Sequence, residues 1–254
     1  VSGRFETGDG PPSQLNLGFQ DDCWDDIAAF DRLAVTPANQ AAISALSDNS
    51  AWPRPQLCVQ GAPKSGLTRL ARAWVARENG WYFDVSGFHE CSSETIDAVS
   101  GGVVALDGPE RVEDGAKLRA LMTQVGKGGG RLLLLANHVP AAWPFTQSDL
   151  VSRIRALPVI EIGPPDAEMM RLRLARGLSR FYHRLPDDVA AYLLVRLPRS
   201  YERIEQCVAQ LAAAAQGSVR GITVPLAREV LDRETGIDQT GTENDTSQSD
   251  TGET

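Results

Sequence analysis

The chain has 254 residues, 42% of them hydrophobic, and a formal net charge of −8. That is enough apolar material for one large domain, or a domain with a lid, and the acidic balance argues against a broad nucleic-acid-binding face. No apolar run approaches the ~20 residues of a membrane span, and residues 1–12 are polar without the apolar centre of an export signal, so a cytoplasmic protein is expected.

In chain order, the first 22 residues form a polar arm in which Gln14, Leu15, Leu17 and Phe19 stand out. An amide followed by spaced aliphatic and aromatic anchors suits docking of the arm into a partner's apolar groove, or folding back onto its own domain. Five apolar runs then read as strands, at residues 56–60, 81–85, 103–107, 131–136 and 158–162. Most are nearly continuous rather than alternating, and crossover-length segments separate them. The expectation is an α/β domain over residues 23–163 with a five-stranded parallel sheet covered on both faces. The clearest helix spans 67–78, with Leu67, Leu70, Ala71, Trp74 and Val75 at helical spacing.

From residue 164 the pattern is helical only. Helices are expected from Pro164-Pro165-Asp166 to about Phe181, from Leu185-Pro186-Asp187, from Ser200 and from Thr223-Val224-Pro225, giving a small lid over 164–235. Residues 236–254 carry five acids, no Lys or Arg and one large apolar residue, Ile237, and are expected to be a disordered tail. Cys23, Cys58, Cys91 and Cys207 form no Cys-x-x-Cys pair, and His89, His138 and His183 are isolated. The cysteines read as buried thiols of a reducing compartment, and neither set reads as metal ligands.

The residues with chemical potential lie at the strand ends. Gly61-Ala-Pro-Lys64-Ser-Gly66-Leu67-Thr68 joins the first strand to the clearest helix. Glycines there let backbone N–H groups converge on an anion, and the helix N-terminus adds partial positive charge. The usual pattern has lysine where this chain has Leu67; Lys64 is the only cation inside the loop, and Thr68 keeps the hydroxyl that reaches a magnesium ion. Asp107 ends the third strand, where an acid holds magnesium through water. Gly108 follows it, where a second acid often polarises water, and Glu110 is out of register. Asn137 ends the fourth strand as a γ-phosphate sensor would. Ser152-Arg153-Ile154 precedes the fifth strand, with Arg155 two residues on, and Arg203 lies at the start of the third lid helix.

The order and spacing of these residues resemble an AAA+ module of the DnaA branch. Arg184-Leu-Pro-Asp-Asp-Val189 and Ile222-Thr-Val-Pro-Leu-Ala-Arg-Glu-Val230 look like the lid of the Hda family, DnaA-related inactivators of DnaA, nearest to the alphaproteobacterial type. The resemblance covers roughly residues 14–232. It implies an AAA+ fold, Arg153 as an arginine finger acting on a neighbour, Arg203 as a second sensor and Asn39 in a segment over the base. It also implies weak binding of ADP or ATP with Mg, Thr68 and Asp107 on the metal side, and docking of Gln14–Phe19 to the DNA polymerase sliding clamp. Partners would then be the clamp and DnaA, with a homo-oligomer left open. The chain passes from Leu231 into the acidic tail without a helix-turn-helix, so sequence-specific DNA binding is not expected, nor is membrane association. The function so implied is negative regulation of replication initiation by promoting hydrolysis of DnaA-bound ATP. The alternatives are a self-sufficient AAA+ ATPase such as a helicase loader, or a clamp-bound adaptor with a dead nucleotide site.

Overall fold

The computed structural model describes residues 29–216 and 221–240, with side chains described up to Arg233. Five strands form one parallel sheet: β1 (Gln56–Gly61), β2 (Trp81–Phe83), β3 (Val103–Asp107), β4 (Arg131–Ala136) and β5 (Val159–Ile162), in spatial order β2-β3-β4-β1-β5. All four pairings are parallel. The expected strands are therefore present. β2 stops early because the Asp84 carboxylate accepts the Gly87 N–H and caps a helix, α3 (Val85–Glu90), so Val85 turns away from the sheet.

Alternate residues of the central strands feed opposite layers, as the pleat requires. Leu57, Val59, Ala105, Leu133 and Leu135 join the core under α1 (Gln40–Ser47) and α2 (Leu67–Arg77). Cys58, Val104, Leu106, Leu132 and Leu134 join the other core with Leu118, Leu121, Met122 and Val125. Those four lie on α5 (Gly115–Lys127), which Asp114 caps; α4 (Ser93–Ala98) begins at the Ser92 cap and sends Ile96 into the same core. β5 closes one edge and leaves Val159 exposed. Each large apolar side chain fully buried here contributes about 1.5–3 kcal/mol, so β4, with Leu132 to Leu135 all inaccessible, anchors both layers.

The last four helices make a separate core of Met170, Leu174, Leu178, Val189, Leu193, Ile204, Val208 and Leu211, among others. They are α7 (Ala167–Ser179), α8 (Asp187–Arg196), α9 (Tyr201–Ala215) and α10 (Val224–Thr240). Asp166 and Ser200 cap α7 and α9, and Asp187 and Asp188 sit in the first turn of α8, where the helix dipole favours acids. α10 continues past residue 235, where the lid was expected to end and the tail to begin; residues 241–254 lie outside the described chain. The lid is joined to the sheet domain by the Tyr201 hydroxyl, which donates to the Gly163 carbonyl at 3.0 Å. Asp166 also accepts the Ala38 N–H at 3.1 Å, tying the segment before α1 to the same junction. No helix among the described residues is long and apolar enough to cross a membrane.

Candidate functional site

β1, β4 and β3 are neighbours, so their carboxyl ends bring Gly61, Asn137 and Asp107 to one edge of the sheet. In an open parallel sheet that edge is where ligands bind. The loop after Gly61 turns tightly: the Ser65 N–H donates to the Ala62 carbonyl at 3.0 Å, and Lys64 and Gly66 have φ of 66° and 104°. Gly66 suits that conformation, while Lys64 holds it against the usual preference of a side-chain-bearing residue. Gly61 is needed for space, since a Cβ there would lie 2.6 Å from Ser65 Oγ. The N–H groups of Gly66, Leu67 and Thr68 have no backbone acceptor among the described residues, so they remain free to bind an anion at the start of α2.

Beside the loop, Thr68 Oγ1 donates to Asp107 Oδ2 at 2.5 Å, and the Tyr82 hydroxyl donates to the same oxygen at 3.1 Å. Burial, followed by the Asp107 charge, pushes the Tyr82 hydroxyl above its ordinary range, so it stays protonated and serves as a donor. Asn137 Nδ2 donates to the Gly61 carbonyl at 3.3 Å. Loop, hydroxyl, acid and amide expected from the sequence are thus brought together.

Leu67, the first residue of α2, packs into the core and supplies no charge to the loop. Lys64 is exposed on the loop. Gly108 has φ 81° and starts a single turn that carries Glu110 inward. Glu110 is buried, accepts the Asn137 N–H at 2.8 Å with Oε1, and leaves Oε2 without a protein partner among the described residues. It secures the end of β4 and, among the described residues, makes no hydrogen bond to Thr68 or Asp107. Burial, aided by the Glu110 charge, pushes the Cys58 thiol up to about 12, which makes it an inert core residue.

One residue at the loop was not anticipated from the sequence. Arg173 on α7 donates from Nη1 to the Lys64 carbonyl at 2.7 Å and from Nη2 to the Ser65 carbonyl at 2.5 Å. Its guanidinium lies 4.7 Å over the Tyr201 ring and 3.8 Å from Glu205. The spacing of Arg173 and Arg176 on α7 and Arg180 at its end was a signal for such a basic stripe, although arginines spaced in this way usually read as a solvated face.

No family model matches the chain. It is 25% identical to the chromosomal replication initiator protein DnaA of Desulfatibacillum aliphaticivorans, over 80% of this chain and 50% of that protein. Among solved structures, domain III of Thermotoga maritima DnaA superposes with a TM-score of 0.65 at 16% identity, covering 82% of this chain and 97% of that one. AMPPCP-bound DnaA from Aquifex aeolicus superposes at 0.61 and 16%, covering 86% and 72%. The chain carries a DnaA-like AAA+ domain. It spans half or less of the length of the curated DnaA proteins it matches.

Within this DnaA-like domain, Asn39 lies in the segment before α1. Its Oδ1 accepts the Thr36 N–H at 2.9 Å and its Nδ2 donates to the Ala34 carbonyl at 2.8 Å, so its amide builds the turn before α1. Arg203 is half-buried on α9 and donates to Gln206 at 2.7 Å, while Arg173 is a lid guanidinium that contacts the phosphate loop. Arg153 precedes β5 as expected, and it belongs to a helix that the sequence did not announce, α6 (Ser148–Arg155). Leu150 and Ile154 bury one side of α6, and Arg153 flanks that face with its side chain 43% exposed. It pairs with Asp149 one turn earlier at 3.2 Å and also lies 3.5 Å from Thr123 Oγ1. Gln14, Leu15, Leu17 and Phe19 lie outside the described residues.

Proposed function

We propose that this chain is a regulator of replication initiation that acts on a neighbour. Docked to the sliding clamp through Gln14, Leu15, Leu17 and Phe19, it presents Arg153 to ATP held by a DnaA subunit and promotes hydrolysis there. The observation that carries this reading is the contrast between an exposed arginine on α6 and a phosphate loop whose lysine position is the buried Leu67. The DnaA-like fold supplies the context for pairing with DnaA.

The chemistry asked of Arg153 is electrostatic. Charge develops on the transferred phosphoryl oxygens, and a planar guanidinium spanning two of them stabilises it. The Arg153–Asp149 contact is no obstacle, since an exposed ion pair is worth only about 0–1 kcal/mol and a phosphate can replace the carboxylate. It holds the side chain along the helix surface until then.

The chain's own site fits a nucleotide with magnesium: free N–H groups at the start of α2 for the phosphates, and Thr68 and Asp107 already adjacent on the metal side. Bound magnesium would neutralise phosphate charge. Without a lysine at position 67, ADP should bind at least as well as ATP and both weakly. Gly108 and the inward-turned Glu110 remove the usual second acid, which disfavours a self-sufficient ATPase.

The test is ADP formation in a mixture of DNA-loaded clamp, ATP-bound DnaA and this chain. Stimulation is expected with the native chain and should disappear when Gln14 and Leu17 are both changed to Ala, with the thermal midpoint unchanged. Stimulation that survives the double change, or unfolding caused by it, would contradict the clamp-docking role of the arm. Turnover by this chain with ATP alone would support the ATPase alternative, and clamp binding without any stimulation would leave an adaptor.

A further inference from the structure

Arg173 sits on a particular side of the phosphate loop. Both of its donors reach carbonyls, those of Lys64 and Ser65. In a trans peptide the C=O and the N–H point in opposite directions, and no cis peptide occurs among the described residues. The peptide whose carbonyl Arg173 grips at Ser65 therefore points its Gly66 N–H the other way, into the concave side with the N–H groups of Leu67 and Thr68. Arg173 stands behind the cradle and does not fill it.

From there it does two things. It fixes the orientation of the two peptides at the turn, one of which begins at Lys64 in a strained left-handed conformation. It also places a full positive charge one peptide away from an anion in the cradle, through a polarised C=O…H–N unit. The surroundings leave that charge largely uncompensated. Arg69 on α2, Arg176 on α7 and Arg180 just after it lie close enough to act on one another electrostatically, and the Arg69 Nε is buried without a partner. Among the described residues, the one carboxylate paired with any of these four arginines is Glu205, at 3.8 Å from Arg173. A group of four guanidinium ions with one acid is poised for an anion.

We infer that Arg173 replaces, from the lid, the phosphate-loop charge that Leu67 no longer supplies, so that binding of a nucleoside diphosphate or of pyrophosphate at residues 61–68 depends on the lid seated over the loop. This rests on the reading of that loop as a phosphate site. Arg173 is a positioning residue: its effect passes through the loop peptides. The coupling runs both ways, since a ligand that needs the oriented loop also holds α7 against it.

The experiment is calorimetry of the full chain with Mg-ADP and with pyrophosphate at low and high salt. The variants are Arg173→Gln, Leu67→Lys and the two together. Arg173→Gln is expected to weaken both ligands about tenfold, the scale of a charge-assisted contact to phosphate, and to flatten the salt dependence. Adding Leu67→Lys should restore affinity, because a charge inside the loop then replaces the one behind it. Equal affinities of native chain and Arg173→Gln would overturn the proposal, as would a loss that Leu67→Lys does not restore, since that pattern belongs to simple damage of the lid contact. A native chain that takes up neither ligand would remove the phosphate reading itself, a result distinct from both.

Discussion

Around the phosphate loop Thr68, Tyr82, Asp107, Asn137 and Arg173 are each committed to another part of the molecule, whereas on α6 the Arg153 guanidinium is held by an exposed carboxylate and a half-buried hydroxyl. Thr68, Tyr82 and Asp107 form one hydrogen-bonded group, Asn137 holds Gly61, and Arg173 holds the loop carbonyls. At α6, Asp149 is shared between Arg119 at 3.6 Å and Arg153 at 3.2 Å, and all three side chains are about half exposed. The difference teaches where each region can act. A loop kept in shape without its lysine is suited to holding a ligand, and a solvated arginine in a replaceable pair is suited to reaching one on another molecule.

The largest expected effect lies on the α6 side. Arg153→Lys should lower the stimulated rate of DnaA-bound ATP hydrolysis by about a hundredfold or more, because an ammonium keeps the charge but loses the planar fork. Arg155→Ala, on the same helix, should change that rate only a few-fold. Equal losses at the two positions would mean that α6 contributes general positive charge, and the contrast between the two regions would weaken.

On the loop side, Leu67→Lys should tighten ATP binding about tenfold. It should also lower unfolding stability by about 2 kcal/mol, since Leu67 is buried in the sheet-domain core. Denaturant titration and calorimetry on one preparation check both signs together. A lysine that stabilised the fold would show that the loop in solution exposes position 67.

Within the lid, Gly177 is packed so closely that a Cβ would lie 2.8 Å from both methyl groups of Val208. Gly177→Ala should cost about 1–3 kcal/mol by overpacking. The loss is read as a lower thermal midpoint, with clamp binding unaffected. The smallest effect is expected at the junction between lid and sheet domain. Asp166 caps α7 through the Met169 N–H at 2.8 Å, so Asp166→Ala should cost about 1 kcal/mol, measured by the same denaturant titration.

The sheet and the lid were legible because their signals are local. Runs such as Leu132 to Leu135 admit little besides a strand covered on both faces, and Asp166 and Ser200 sit where helix caps are expected. β2 was read two residues too long because an apolar run hides a cap: Asp84 three residues before Gly87 ends the strand. Loop, acid and amide were found for the same reason, each closing an apolar strand. Arg173 was missed because its partners are 109 and 108 residues away in sequence, and nothing near it on α7 distinguishes it from a solvated arginine. The turn that Asn39 builds through Thr36 and Ala34 was not legible, because an asparagine in a loop forms such local bonds without any pattern in its neighbours. Helix α6 was not anticipated because Ser148 to Arg155 is short and carries only Leu150, Val151 and Ile154 as apolar residues.

The central claim is that this chain contributes Arg153 to a site on another molecule. The direct measurement is single-turnover hydrolysis of labelled ATP loaded on DnaA beforehand, with DNA-bound clamp and no free nucleotide. The native chain is compared with Arg153→Ala, and both are checked for equal clamp binding and thermal midpoint. The account predicts rapid conversion with the native chain and, with Arg153→Ala, a rate no greater than that of DnaA alone. Equal acceleration by the two would contradict it.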